Sequence, residues 1–247
     1  MLTLAVITLN EADRLARCLA SAPGAGERLV VDSGSTDGTQ AAAERAGARV
    51  ITEPWRGHVA QKNAALSFAT GDWILSLDAD ERLDAAAWEA LAVALAAPGD
   101  AAGFSFTRTN RWLGRELRHG RWGRERKVRV VRRGGGVWVG GDPHDRLVVS
   151  GPVIHLQGAI IHEPYRSLAE HTATARRYAM ISAETIRSQG RGATRLTAPT
   201  RAGLRFADAW LLRGGFLDGG PGLAVAGLAA WHTWLKWDAV RRLGARR

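Results

Sequence analysis

Residues 73–81 read Trp73-Ile74-Leu75-Ser76-Leu77-Asp78-Ala79-Asp80-Glu81. The uncharged first five suit a strand covered on both faces, and the carboxylates that follow mark its end. Asp78 leaves that strand and Asp80 falls on the turn after it. The same rhythm precedes this stretch. Apolar runs at 2–8, 29–32 and 50–52 read as strands, each followed by a helical segment. In the first helix Asn10 is the expected N-cap, Glu11 and Asp13 are acidic residues of the first turn, and Leu15, Cys18, Leu19 and Ala22 form one face. Helices are expected at 39–46, 59–70 and 85–97, the first two stopped by Gly47 and Gly71. Strand-helix alternation with short links predicts parallel strands with helices on both faces, a doubly wound α/β unit.

After residue 101 the pattern changes. Phe104 and Phe106 alternate with small or polar residues as in a strand, and 128–131 reads as another. Strand pieces at 137–139 and 147–149 flank a loop at 140–146. A long helix is expected over 167–189. The final third is apolar, with a Gly-Gly-Pro-Gly break at 219–222 and then Trp231, Trp234 and Trp237. The expected division is an α/β domain over 1–165, with halves at 1–100 and 101–165, and a helical region over 166–247.

The 247 residues are enough for a substantial core, and 46% hydrophobic with 23% charged residues is globular composition. One cysteine, Cys18, excludes an internal disulfide and any multi-thiolate zinc site. The start has no basic n-region or cleavage site, so the cytoplasm is the default compartment. The run 219–235 contains a proline, glycines and a histidine, and falls short of the roughly 20 apolar residues a spanning helix needs. Its tryptophans and the flanking Lys236, Arg241, Arg242, Arg246 and Arg247 suit an element at the inner face of a membrane. A core or dimer-forming helix is the equal alternative.

The net charge of +10 is unevenly spread. Residues 1–107 carry 8 basic and 14 acidic side chains, whereas 108–147 carry 12 and 4, and 148–247 carry 14 and 6. The asymmetry points to an anionic partner. Arg126, Lys127, Arg129 and Arg132 could meet a diphosphate, a phosphorylated acceptor or lipid headgroups. Arginine interleaved with Trp112 and Trp122 also suits nucleic acid. No zinc spacing, RNP signature or helix-turn-helix accompanies it, and the acidic first part would repel a polyanion, so no nucleic-acid partner is expected. His58, His119, His155, His171 and His232 are scattered without ligand spacing.

Polar clusters fall at three strand ends: Thr8-Leu9-Asn10-Glu11, the stretch 32–38, and Asp78-Ala79-Asp80-Glu81. Open α/β sheets bind ligands at that edge. Two close carboxylates repel unless a cation or proton intervenes, and oxygen ligands suit Mg²⁺ or Mn²⁺ bridging substrate phosphates. The alternative is that Asp80 and Asp84 only cap the next helix. The link 32–39 lacks the dinucleotide fingerprint and the Walker lysine. Asp32 could accept hydrogen bonds from a base or ribose, or close an Asx turn.

These segments, Val6-Ile7-Thr8-Leu9-Asn10-Glu11, Val30-Val31-Asp32-Ser33-Gly34-Ser35-Thr36-Asp37-Gly38-Thr39 and Ser76-Leu77-Asp78-Ala79-Asp80-Glu81, together resemble the nucleotide-sugar half of glycosyltransferase family 2, which has the GT-A fold, a mixed sheet with helices on both faces. The resemblance implies that Thr8, Asn10 and Glu11 line the nucleotide pocket, that Asp32 contacts the nucleoside, and that Asp78 and Asp80 hold a divalent metal on the donor diphosphate. Lys62-Asn63 stands where the family often has an Arg-Asn pair near the phosphates, and Arg129 is a further donor-binding candidate. Ser33 replaces a second aspartate found in many members.

In the second half, Gly120-Arg121-Trp122, Arg129-Val130-Val131-Arg132, Pro143-His144-Asp145-Arg146-Leu147 and His162-Glu163-Pro164-Tyr165-Arg166-Ser167 resemble the subgroup of lipopolysaccharide-core β-1,4-glucosyltransferases. So does the Trp-rich tail. Inverting transfer needs a base for the acceptor hydroxyl. Asp145 is the candidate, with His144 as orienter or phosphate contact and Asp142 in reserve; Asp145 paired with Arg146 or Arg129 is the structural alternative. The expected reaction is metal-dependent transfer of a hexose, glucose from a UDP-sugar being the leading case, to a lipopolysaccharide-core or other membrane-anchored saccharide. A different lipid-linked or protein acceptor, and a non-catalytic nucleotide-sugar or anion-binding protein, are the alternatives. An oligomer is compatible with either.

Overall fold

All seven residues of the first strand, β1 (Leu2–Thr8), are buried, and the alternation of its side chains explains why. Leu2, Leu4 and Val6 enter one apolar cluster, and Ala5 and Ile7 enter another. Trp73, Leu75 and Leu77 join the first cluster, and Ile74 the second. Successive side chains of a strand point to opposite faces, so continuous apolar runs require helices on both sides.

The computed structural model describes residues 1–141 and 144–244. They form two compact units: Met1–Thr109 with Glu125–His162, and Asn110–Arg124 with Glu163–Arg247. The elements in chain order are β1, α1 (Ala12–Ala20), β2 (Glu27–Asp32), α2 (Thr39–Arg45), β3 (Arg49–Thr52), α3 (His58–Phe68), β4 (Trp73–Asp78), β5 (Glu81–Leu83), α4 (Ala85–Ala96) and β6 (Gly103–Trp112). They continue with β7 (Arg115–Leu117), β8 (Glu125–Arg132), β9 (Gly136–Gly141), β10 (His144–Val149), β11 (Val153–His162), α5 (Leu168–Ser188), α6 (Thr197–Ala207) and α7 (Gly219–Gly244).

In the first unit the sheet runs β3-β2-β1-β4-β8-β6-β11-β5. The first four strands are parallel, β8 lies antiparallel to β4, and β11 antiparallel to β5. Helices α1 and α4 cover one face through Leu15, Cys18, Leu19, Ala87 and Leu91. Helix α3 covers the other with the β9–β10 hairpin, through Ala65, Trp138 and Leu147. This is the expected mixed GT-A-like sheet.

Four elements were not expected from the sequence: β5, β7, β11 and α6. Strand β11 contains Gly158 at φ +84, where a Cβ would stand 2.1 Å from the backbone nitrogen of Ala87. Only glycine lets β11 pass this close to the start of α4. Asp84 fastens the same point, its Oδ1 accepting from the N–H groups of Ala87 (2.8 Å) and Ala159 (3.1 Å). The others are β5, three residues long and carrying a buried glutamate, β7, also of three residues, and α6, which contains Pro199 and Gly203. The cap of α1 also differs. Glu11 occupies the N-cap position, because Asn10 is left-handed (φ 57) with its side chain turned to the neighbouring loop.

The second unit takes in Asn110–Arg124 as well as the chain from Glu163, so its boundaries differ from the expected single division at 165/166. Helix α7 packs along α5 and α6. Trp237 is buried with Ala183, Ala198, Ala239 and Val240, under the guanidinium of Arg201 at 4.2 Å. Trp231 lies beneath Arg176 at 5.4 Å. Trp237 is thus committed to helix packing, whereas Trp231 is half-buried. Among the described residues no helix is long and apolar enough to cross a membrane.

Also in this unit, Tyr165 stacks on His171 at 3.9 Å between centroids, and Trp122 stacks beside both. Trp112 Nε1–H donates to His171 Nδ1 at 3.0 Å, a bond that requires an unprotonated Nδ1. Burial, reinforced by His232, pushes the His171 pKa down from 6.5 to about 4. The unfolded chain thus binds this proton at higher pH than the folded one. The stabilisation is complete above pH 6.5 and is lost as the pH falls through about 4. Urea unfolding followed by tryptophan fluorescence will show a midpoint falling across this window, with a shallower fall in His171→Gln. Equal slopes in the two proteins would refute the assignment.

Candidate functional site

Strand register sets the frame of the site. Thr8 stands opposite Asp32, and Ile7 opposite Asp78, so the carboxyl ends of β2, β1 and β4 lie side by side within the first unit. The loops leaving them are cross-linked. Asn10 N–H donates to Ser35 Oγ at 2.8 Å, and Asn10 Oδ1 accepts from Thr36 N–H at 2.9 Å. Glu11 N–H donates to Thr39 Oγ1 at 2.8 Å, while its carboxylate takes both Nε–H and Nη2–H of Arg14.

Asp32 is fully buried. Its carboxylate accepts from the N–H groups of Gly34 (2.9 Å) and Ser35 (2.8 Å), from the Ser35 hydroxyl, and from Gln40 Nε2 (2.7 Å). Burial raises its pKa, but these donors outweigh it and hold the carboxyl below its ordinary value. The structure thus shows Asp32 closing its turn. Nearby, the buried Thr8 hydroxyl and the Gln61 side-chain carbonyl have no partner among the described residues. Buried polar atoms in that state are costly unless something else satisfies them.

The centre of the site is a chain of ion pairs. Glu81, with no exposed side-chain surface, accepts two bonds from Arg129 (2.9 and 2.8 Å) and one from Arg108 (3.1 Å). Arg129 also lies 3.7 Å from Asp78. Lys62, on α3, reaches Asp78 at 2.8 Å and Asp145, on β10, at 2.7 Å. Burial raises the Asp145 carboxyl, but Lys62 and then Arg129 outweigh it and keep it below its usual range. Burial lowers the Lys62 ammonium, yet Asp78 and Asp145 bring it above its ordinary value.

A buried tryptophan underlies these cations. The Trp138 ring has Lys62 Nζ at 4.4 Å and the Arg129 guanidinium at 5.2 Å from its centroid. Asn63 holds it, donating to the Trp138 carbonyl and accepting from its N–H, both at 2.9 Å. Expected beside donor phosphates, Asn63 here has both ends of its amide engaged in placing Trp138.

The two carboxylates of the D-x-D stretch part company. Asp78 turns to Lys62 and Arg129, whereas Asp80 Oδ2 lies 3.4 Å from His162 Nε2. The register of β5 against β11 sets His162 opposite Glu81, which is how residue 162 comes to residue 80. Asp84, not Asp80, caps α4. One carboxylate and one imidazole suit an ion that draws its other ligands from phosphate oxygens and water. Among the described residues no group of three or more potential ligands could hold an ion by itself. Asp142 and the His144 side chain lie outside the described residues.

The Glycosyl transferase family 2 model matches residues 3–145, more than half the chain and every strand end described above. The chain belongs to this family. Transfer of a sugar is accordingly its class of activity.

The lipopolysaccharide core biosynthesis glycosyltransferase LpsC of Rhizobium meliloti (strain 1021) is 33% identical over 186 residues, which cover 72% of this chain and 69% of that protein. An uncharacterized glycosyltransferase of Rickettsia felis is 53% identical over 79 residues, 32% of this chain and 28% of its own length. Among solved structures, glucosyl-3-phosphoglycerate synthase from Mycobacterium tuberculosis with Mn²⁺, UDP and glucosyl-3-phosphoglycerate is 23% identical with a TM-score of 0.38, over 45% of this chain and 44% of that one. S. aureus TarS is 21% identical with a TM-score of 0.37, over 44% of this chain and 22% of that one.

Sequence reasoning assigned no role to His162 or Trp138 in this glycosyltransferase, and it grouped Glu81 only with the polar cluster. The one available signal for His162 was its place at the head of the His162-Glu163-Pro164-Tyr165 motif. Glu81→Gln leaves two arginines facing a neutral amide in a buried site, and will cost about 3–5 kcal/mol in denaturant unfolding. A loss under about 0.5 kcal/mol would show that the pair is not structural.

Proposed function

We propose that this chain transfers a hexose, with inversion, from a nucleotide-sugar donor to a lipopolysaccharide-core or other membrane-anchored saccharide. The observation that carries the reading is the Lys62 bridge between Asp78 at the end of β4 and Asp145 on β10. It puts a candidate base within one cation's length of the donor edge. The name of the Rhizobium meliloti relative supports the class of acceptor, and Thr8, with its buried unpaired hydroxyl, supports a nucleotide at the carboxyl edge of β1.

In this reading Asn10 and Glu11 shape the nucleotide pocket, Asp78 and Lys62 meet the donor, and Arg129 holds them in place through Glu81. Asp145 takes the proton of the acceptor hydroxyl. Its contact with Lys62 keeps it ionised, which is the form a base needs. Asp80 and His162 would hold a divalent ion, Mg²⁺ or Mn²⁺. Such an ion, when bound, neutralises charge on the departing diphosphate.

Thermal unfolding with a panel of nucleotide sugars, with and without Mn²⁺, tests this directly, because a ligand that binds only the folded state raises its stability. A UDP-sugar will raise the unfolding temperature in the presence of metal, and both Asp80→Asn and His162→Ala will remove the metal-dependent increment. Asp145→Asn will keep the donor shift while losing about 10²–10⁴ in turnover. A panel without any binder refutes the donor assignment. Full turnover in Asp145→Asn refutes the base, and a donor shift without product in the native protein would leave a binding protein.

A further inference from the structure

The second unit carries an exposed apolar corner that the catalytic reading does not use. Helix α6 passes into a π-helical turn, Asp208–Leu212, and a 3₁₀ turn, Gly215–Asp218, leads into α7. On these turns Leu212 is 81% exposed, Leu217 60%, Leu211 58% and Phe216 49%. The protruding side chains are not loosely hung. Phe216 ends a row of ring contacts that runs through Trp210 to Phe206, at 6.4 and 6.3 Å. Large apolar side chains grouped on adjoining turns, rather than scattered singly, mark a surface that meets something apolar.

The charge around the corner says what that is. Residues 195–218 contain four arginines, Arg195, Arg201, Arg205 and Arg213, against two carboxylates, Asp218, which is taken up by His119, and Asp208. The Asp208 carboxylate is shared between Arg121 at 2.6 Å and Arg213 at 3.2 Å. Arg205 has its affinity for a proton lowered by burial and then by Arg121, and Lys236 by burial and then by Arg205, Arg201 and Arg191. The cations are close enough to repel one another. A second copy of this chain meeting the same surface across a two-fold axis would bring arginine to arginine. An anionic lipid surface offers the complement to both features, hydrocarbon for the leucines and headgroup charge for the arginines.

We propose that Leu211, Leu212, Phe216 and Leu217 insert into the interfacial region of an anionic bilayer, with Arg205 and Arg213 among the headgroups. The corner, and not the Trp-rich face of α7, is then the membrane contact. The proposal does not depend on the donor or the acceptor, and vesicles without either test it.

The full chain is floated with phosphatidylcholine vesicles containing about a third phosphatidylglycerol, with pure phosphatidylcholine as the comparison. The native protein will float with the anionic vesicles and be released at about 0.5 M salt, where the Debye length is only a few ångströms. Leu212→Glu/Leu217→Glu, which alters only exposed side chains, will bind at least about tenfold more weakly, while Trp234→Ala will bind as the native protein does. Insertion is read separately. Cys18 is buried, so an environment-sensitive thiol dye on Leu212→Cys reports that site alone. Its emission will shift to the blue on anionic vesicles, and that of a dye on Val93→Cys, in the first unit, will not. Native protein that fails to float, a double variant that floats unchanged, or a Leu212→Cys dye that stays in water each overturns the proposal. So does a native dimer that the double variant turns into monomers without any vesicle binding.

Discussion

Glu81 is a charge buried without exposed surface, and the first unit is built around keeping it paired. An isolated carboxylate in that position would be prohibitively costly. Arg129 supplies two bonds from β8 and Arg108 a third from β6, so three strands of the sheet are joined by one carboxylate. Arg129 would then be in excess beside Asp78 were it not for that carboxylate, and Lys62 beside both aspartates balances the remainder. The order of the strands brings these groups within ion-pair distance of one another.

A core of hydrocarbon would stabilise such a sheet as well or better, since buried ion pairs often lose more in desolvation than they gain in attraction. The network has a use that hydrocarbon lacks. It holds Asp145 ionised and Lys62 protonated at one edge, and it fixes the direction in which each points. Trp138 adds a flat, rigid floor under the two cations, and Asn63 fixes that floor to α3. Charge states and positions that a loop alone would leave adjustable are thereby set before any ligand arrives.

The parts of this arrangement that were legible in the sequence are those with a local period. Strands β1, β2 and β4 show because each holds a run of mostly apolar, buried residues, and α1 shows because Leu15, Cys18 and Leu19 recur on one face. Strand β11 has no such mark. Most of its residues are partly exposed, and Gly158 interrupts it for the sake of Ala87, a contact invisible until the chain is folded. Strand β5 is shorter than any periodic signal, and its Glu81 reads as solvent-facing until Arg129 and Arg108 are known to meet it. The site divides in the same way. Asp78 and Asp80 are conspicuous at the end of an apolar run, but His162 stands beside Asp80 only through the pairing of β5 with β11, 82 positions on. Asp32 had two readings in the sequence, and the hydrogen bonds of its loop show the turn-closing one.

Net charge gives a further instance of what folding adds. The stretch 108–133 looks like a ligand-facing band of arginine, yet much of it is spent inside its own unit. Arg108 meets Glu81 and Glu125, Arg118 and Arg124 share Glu116, Lys127 meets Glu125, and Arg129 is committed to Glu81. Arg132 lies over the Trp73 ring and donates to the Ala101 carbonyl. Exposed pairs of this kind add little stability, but they cancel the field that a count of charges implies. The excess that survives pairing is found instead around α6 and its following turn, where one aspartate faces several arginines and the leucines are uncovered. An anionic partner is thus a sound reading of the composition, while its place on the molecule follows from which cations the fold has left unbalanced.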